Sequence, residues 1–312
     1  MKKSTKLIAI GLLVVTLSGC TGRIKDGKDI VKSDTGQPLT SNILCKPESE
    51  ELLKKYEKYN DKLDVKLEDL PTCSEFTPNK IKYNGLWESL FVKPLAWIIL
   101  KLGYLVKNMG LSVIIIGLLI RLLMFPLQVK TVKQSEGMKK AQPEIERIER
   151  KYRNKTDNES LMMKSQETMM VYKKYEINPV SSCLGSTIQL PLFIAFLEAI
   201  ERVPKIFEGS FLGMKLGMTP TAGIAQHQYI YLILIVLIIL STYISFKSSM
   251  GGNESQPPEM AEQMKFMSIF MIVTISFASL GFPTAIALYW IATNIFALVQ
   301  NFIIKKIMEK RI

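Results

Sequence analysis

The sequence predicts an all-α polytopic membrane protein: five transmembrane helices with an outer interfacial helix and a cytoplasmic helical hairpin. Three observations predict it. Of 312 residues, 48% are hydrophobic, and the mean hydropathy is positive, which points away from an ordinary soluble domain. Five apolar runs, at about 111–128, 183–202, 229–246, 266–282 and 284–304, come close to the ~20 residues a helix needs to cross ~30 Å of hydrocarbon. Basic residues gather between alternate runs: Val129–Ser182 carries a dozen Lys and Arg and the tail has Lys305, Lys306, Lys310 and Arg311, whereas Val203–Gln228 carries only Lys205 and Lys215. Because short cytoplasmic loops hold the excess of Lys and Arg, the chain is expected to start outside and end inside.

Residues 1–19 read as an export signal, since Lys2, Lys3 and Lys6 precede a short apolar core, Leu7–Leu17. The sequence Leu17-Ser18-Gly19-Cys20 fits lipoprotein processing, in which the Cys20 thiol receives diacylglycerol and the chain is cut before it. An uncleaved anchor with an idle Cys20 is the alternative. Residues 20–85 then form a lipid-anchored outer segment, polar from Thr21 to Tyr83, with charge nearly balanced, a helical stretch around Glu48–Lys66, and Pro71 and Pro78 as breakers. This pattern reads as a small appendage on a tether. Cys45 and Cys73 share this exported region, where a disulfide can form, although sequence does not give their spacing in space. Cys183, in a span, behaves as a small apolar residue.

Residues 86–110 mix Trp87, Phe91, Trp97 and Tyr104 with Lys93, Lys101 and Lys107, as suits a helix in the interface plane whose lysines reach the headgroups. The core, 111–306, contains the hairpin 129–180. Its arms, Val129–Arg153 and Glu159–Glu176, are separated by the turn-forming Asn154–Asn158. Pro143 predicts a bend or a new helical start in the first arm. Met138, Met162, Met163, Met169 and Met170 either pack within the hairpin or offer a soft surface for varied apolar clients. Phe282-Pro283-Thr284 is a tight outer turn, and 307–312 a short cytoplasmic tail.

Arg121 stands alone among the ionised groups of the first run. A guanidinium stays protonated, and holding it near mid-membrane costs at least ~2.5 kcal/mol on insertion scales, so such residues face water or a partner. Snorkelling to the headgroups or a structural pairing with a neighbouring helix is the competing reading. Gln189, and Trp290 with Asn294 one turn apart, supply polar company for a hydrated cavity, as do Thr274 and Ser276; each taken singly is equally a helix-packing hydrogen bond. Glu198 and Arg202 are spaced for an i,i+4 pair at the outer interface. No carboxylate accompanies Arg121 near mid-membrane, so coupled ion transport has no obvious ligands. Walker A, HExxH and G-x-S-x-G motifs are missing, and the single histidine, His227, sits at a loop edge. The sequence therefore predicts no enzyme, no metal and no cofactor.

Several stretches together resemble one family. They are Arg121 with Phe125-Pro126-Leu127; Met169–Pro179 (MMVYKKYEINP) leading into Cys183; Gln189–Ala195 (QLPLFIA); and Leu288–Asn294 (LYWIATN). With the five runs, the lipobox and the hairpin, the chain resembles the YidC/Oxa/Alb membrane-protein insertase family, in its lipoprotein-type Gram-positive branch, over about Leu86–Lys306. The resemblance implies a protein of the bacterial cytoplasmic membrane in which Arg121, Gln189 and Trp290 line a hydrophilic groove open to the cytoplasm and lipid but closed outside. Implied partners are nascent membrane proteins and membrane lipids and, as for the family, the Sec translocon, ribosome and targeting factors; sequence-specific nucleic-acid contact is not expected. An anion-binding channel or small-solute transporter built on Arg121 is the alternative function. The chain departs from the family at Thr21–Tyr83, which has no counterpart in small Gram-positive members, at Gly185, where proline is frequent, and in its tail, short beside the basic tails that contact ribosomes.

Overall fold

The computed structural model describes residues 21–81, 83, 85–250 and 258–309. The expected signal 1–19 and Cys20 lie outside these residues. The described chain is mostly helical, with two short β-hairpins. In order come β1 (Lys25–Asp26), β2 (Asp29–Ile30), α1 (Glu50–Lys58), α2 (Lys93–Leu105), α3 (Met109–Leu123), α4 (Phe125–Tyr152), α5 (Asn158–Lys174), α6 (Pro179–Glu201), α7 (Pro204–Glu208), β3 (Ser210–Phe211), β4 (Met214–Lys215), α8 (Pro220–Ala225), α9 (Ile230–Met250), α10 (Pro258–Ser279) and α11 (Thr284–Glu309).

Five spans are expected. Among the described residues, Ile230–Ser248 of α9 and Thr284–Met308 of α11 are long and apolar enough to cross a membrane, and the broken pair α3 and α4 makes a third if counted as one span. In α10 the described residues Ile269–Ser279 form a shorter apolar helix.

The chain divides into two compact units. The first comprises the residues up to Ile120 with Ile188–Ile238 and Ser276–Thr293. Its core unites Ile24, Leu39, Ile43, Leu44 and Phe76 of the N-terminal segment with Phe196, Ile200, Val203 and Ile206. This N-terminal segment is therefore a docked cap and not a tethered appendage: its aliphatic residues, scattered in sequence, converge on one apolar surface, and burying each contributes about 1.5–3 kcal/mol. A disulfide joins Cys45 and Cys73, with Cα atoms 4.8 Å apart. Within the cap, Ser49 caps α1 by accepting from the Leu52 N–H (3.4 Å), acidic residues occupy the first turn and basic ones the last. Leu52 and Tyr56, four apart, form the buried face. This helix is shorter than the expected 48–66; after Tyr59 the chain tightens into a 3₁₀ turn, Asn60–Lys62. Glu208 receives the backbone N–H groups of Glu48 and Ser49 at 2.7 and 2.9 Å, tying the start of α1 to α7.

A π-helical turn, Glu88–Val92, leads into α2. Here Lys93 departs from expectation. Instead of reaching headgroups it is buried, donating to the carbonyls of Ile81 and Tyr83 at 2.8 and 2.9 Å. Its pKa falls because burial penalises the ammonium. Lys101 and Lys107 do remain exposed. Trp87 is also buried, whereas Trp97 is exposed.

The second unit comprises Arg121–Thr187, Ile239–Ile275 and Asn294–Ile312. Helix α4 starts at Phe125, after Met124 leaves helical geometry. Pro126 in the first turn explains the restart, since it lacks the N–H that would continue the preceding helix and fits a first turn without loss. Of the bend or new start expected at Pro143, the new start does not occur: the residue lies inside an unbroken helix. Packing supplies the compensation: Ala141, Ile145, Ile148 and Tyr152 share a core with Val171 and Ile177. Asp157 caps α5 by accepting the Ser160 N–H at 2.8 Å. Contacts between α4 and α5 run in opposite order, Lys151 with Glu167 (2.5 Å), Lys174 with Glu144 (2.5 Å) and Gln134 with the Asn178 N–H (2.6 Å), so the two helices are antiparallel.

Candidate functional site

The four residues singled out for a groove fall in both units: Arg121 and Asn294 in the second, Gln189 and Trp290 in the first. In the second unit Arg121 is half-buried in the last turn of α3, where the negative end of the helix dipole favours a cation. Its backbone carbonyl accepts from Gln300 Nε2 at 3.2 Å. Asn294 Nδ2 donates to Thr242 Oγ1 at 3.3 Å, and Gln128 Nε2 donates to Asn301 Oδ1 at 2.9 Å. Asn294 and Asn301 are two turns apart and share a face of α11. Gln300 and Asn301 are buried, where an amide must find partners or lose its full desolvation cost. Sequence reasoning missed Gln128, Gln300 and Asn301. Asn294 and Asn301, seven apart in one apolar run, were a signal that could have found Asn301.

In the first unit Gln189 and Trp290 are both half-buried. Trp290 meets Phe193 edge-on, centroids 5.2 Å apart, and Tyr289 packs on Phe196 at 4.3 Å. Gly117 makes room for that aromatic group, because a Cβ there would lie 2.6 Å from Tyr289 Cδ2.

Arg202 carries the largest buried electrostatic contact of this unit. It is fully buried, pairs with Glu88 at 2.5 Å, donates through Nε to the Asn42 carbonyl at 2.7 Å, and stands 4.8 Å over the Tyr83 ring. The expected pair with Glu198 does not form in this way; Glu198 accepts from Trp87 Nε1 at 3.1 Å. Arg202 lies past the last helical turn, so its guanidinium turns toward the cap. Burial pushes the Tyr83 phenol well above its ordinary pKa, although Arg202 opposes the shift. For Glu48, burial alone would raise the pKa, but hydrogen bonds from Lys205 and Tyr104 outweigh it and hold the carboxyl below its usual value.

On the paired helices, Met162, Met163, Met169 and Met170 are exposed, while Met138 packs on the α4/α5 core. Glu144 and Glu167 sit below the usual carboxylate range because Lys174 with Tyr175, and Lys151 with Tyr152, donate to them. Both sites are solvated, so the ion pairs add little to stability.

Residues 101–311 match the family described as the 60Kd inner membrane protein. The chain belongs to this family. It is 37% identical over 246 residues to the membrane protein insertase YidC of Oceanobacillus iheyensis, covering 77% of this chain and 92% of that protein. The membrane protein insertase MisCA of Bacillus subtilis is 37% identical over 220 residues, 70% of this chain and 79% of MisCA. Membrane protein insertase YidC 2 of Bacillus anthracis is 34% identical over 235 residues, 75% and 87% of the two chains. The family match begins inside α2, so Arg121, Gln189, Trp290 and Asn294 lie within it, whereas Asn42, Tyr83 and Glu88, the partners of Arg202, precede it.

Proposed function

We propose that this chain is a membrane-protein insertase and folding helper of the bacterial cytoplasmic membrane. The observation that carries the reading is that relatives named as insertases align with 70–77% of this chain, and the aligned part includes Arg121. In this reading five helices span the bilayer, the lipid-anchored cap lies outside, the C-terminus lies inside, and α4 with α5 forms a cytoplasmic hairpin. Hydropathy and the distribution of Lys and Arg support that topology. Arg121, Gln189 and Trp290 are assigned to a hydrophilic groove on the strength of the family resemblance, and Asn294 joins them because it lies one turn from Trp290 on α11.

The chemistry needs no bond to be made or broken. A cation at Arg121 keeps water in a low-dielectric setting and attracts acidic residues of a client's outer segment. Water in the groove shortens the apolar path, which lowers the desolvation cost of polar backbone as that segment crosses. Burial of the client's apolar helix in lipid then completes insertion, at ~25 cal/mol per Å² removed from water. The exposed Met162, Met163, Met169 and Met170 suit the hairpin to receiving varied apolar clients or targeting factors; the Sec translocon and ribosome are further partners that the family resemblance implies.

Reconstitution with a single-span client bearing an acidic outer tail tests the function. Arg121→Ala is expected to block insertion and Arg121→Lys to retain much of it. Unchanged insertion by the alanine form removes Arg121 from the mechanism; solute flux without insertion would instead favour an anion channel.

A further inference from the structure

A cavity of about 700 Å³ opens in the second unit between the first half of α4, the bend after α5 and the end of α11. Its walls are polarised along α4. Phe125 and Val129 lie toward the start of α4 and Lys133 and Lys140 further along it, and Ile304 and Ile307 of α11 add to the apolar lining. Positions 125, 129, 133, 136 and 140 recur at helical spacing, so one face of α4 runs from apolar to basic over about 22 Å. The volume lies within the range of small-molecule sites, ~300–1,000 Å³.

The charges around it do not cancel. Two acidic residues line it, Glu136 and Glu176. Glu136 is already engaged by Lys139 at 2.7 Å and Lys305 at 4.0 Å, and Glu176 reaches Lys133 only at 3.9 Å, with both side chains well exposed. Lys139 and Lys305 lie outside the lining and offset Glu136, so Lys133 and Lys140 are left facing Glu176, and Lys140 is exposed at the rim. The cavity also sits where the apolar runs of α3 and α11 give way to charged sequence, the level of a bilayer boundary.

We propose that this cavity binds an anionic phospholipid, with an acyl chain against Phe125, Val129, Ile304 and Ile307 and the phosphodiester between Lys133 and Lys140. An acyl chain has no polar groups to desolvate at the apolar end, whereas an extended peptide would leave its backbone N–H and C=O groups there without partners. A zwitterionic lipid brings its own cation and gains less from the lysines. Basic pockets at the cytoplasmic ends of membrane helices hold anionic headgroups for this reason. The bound lipid would brace α4 against α11 at the base of the paired helices. Its assignment to the cytoplasmic leaflet rests on the topology proposed above; the binding itself does not.

The test uses the full chain in phosphatidylcholine nanodiscs doped with acyl-diazirine phosphatidylglycerol or acyl-diazirine phosphatidylcholine, and mass spectrometry to locate the adducts. The phosphatidylglycerol probe should label the peptides holding Phe125–Val129 and Ile304–Met308 up to about thirtyfold more than the phosphatidylcholine probe, the preference that two lysines give at the membrane surface. The double variant Lys133→Gln, Lys140→Gln should lose that preference while labelling of α9 stays unchanged, and Val129→Trp, which fills the apolar end, should lower labelling by both probes. Equal labelling by the two probes, an undiminished preference in the double variant, or displacement of the probe by an acidic peptide would each overturn the proposal. Labelling is read without insertion, so its failure leaves the insertase reading standing, and loss of insertion with labelling intact would do the reverse.

Discussion

The side-chain amide of Gln300 donates to the backbone carbonyl of Arg121 at 3.2 Å, so α11 holds the end of α3 at the residue whose charge matters most to the proposed function. One residue on, Asn301 binds Gln128 at 2.9 Å. These amides bind the Arg121 backbone carbonyl and the Gln128 side chain.

Gln300→Leu is therefore expected to destabilise the protein by about 1–3 kcal/mol, the cost of leaving a buried carbonyl without its donor. Thermal unfolding in detergent measures the loss. Insertion at low temperature should fall less than in Arg121→Ala, because the charge remains; equal loss in both would assign the effect to folding.

Arg202 makes a sharper prediction. Removing a fully buried cation leaves Glu88 and the Asn42 carbonyl without it, so Arg202→Met should cost about 3–5 kcal/mol. The double variant Glu88→Gln, Arg202→Met should recover part of that cost, since no unpaired charge then stays buried. Limited proteolysis of the cap reports undocking, and a double variant no more stable than the single would argue against the pairing.

Replacing Cys45 and Cys73 with serine is expected to lower stability by about 3–4 kcal/mol, from the entropy that a link across 28 residues removes from the unfolded chain. Loss of cap protection on adding reductant to the folded protein should be slow, because both cysteines are buried. Rapid loss would mean that the cap opens freely.

The Glu48 contact with Lys205 and Tyr104 predicts a dependence on acid. Its folded pKa lies below the ordinary value, so its contribution is fully present above the unfolded pKa and is lost as pH falls through the folded one. Melting of the wild type should show this decline below the normal glutamate range. The Glu48→Gln form, starting less stable, should show a shallower decline, and parallel curves would exclude Glu48 as a source.

Local patterns carried much of the fold. The turn 154–158 and the long apolar helices α9 and α11 follow from interactions within a few residues, the range over which periodicity acts, whereas the break at Met124 inside the expected run 111–128 was not read. Arg121 was legible because one permanent charge in an apolar run stands out whatever surrounds it. Partner choice was not legible. Arg202 and Glu88 are 114 residues apart and Gln300 and Arg121 179, and nothing in either neighbourhood marks the other. Lys93 reads as an interfacial lysine until the carbonyls of Ile81 and Tyr83 are seen folded over it, and Pro143 reads as a break until the α4/α5 core is seen to hold it. The cap is the clearest case: Thr21–Tyr83 looks polar as a string because its apolar residues are dispersed, and only when the chain folds do Ile24, Leu39, Ile43, Leu44 and Phe76 gather on one face. Sequence alone determined which segments are helical and apolar and where the lone cation lies; tertiary structure decided which buried polar groups meet, because desolvation penalises every unpaired one and only packing at long range supplies the partner.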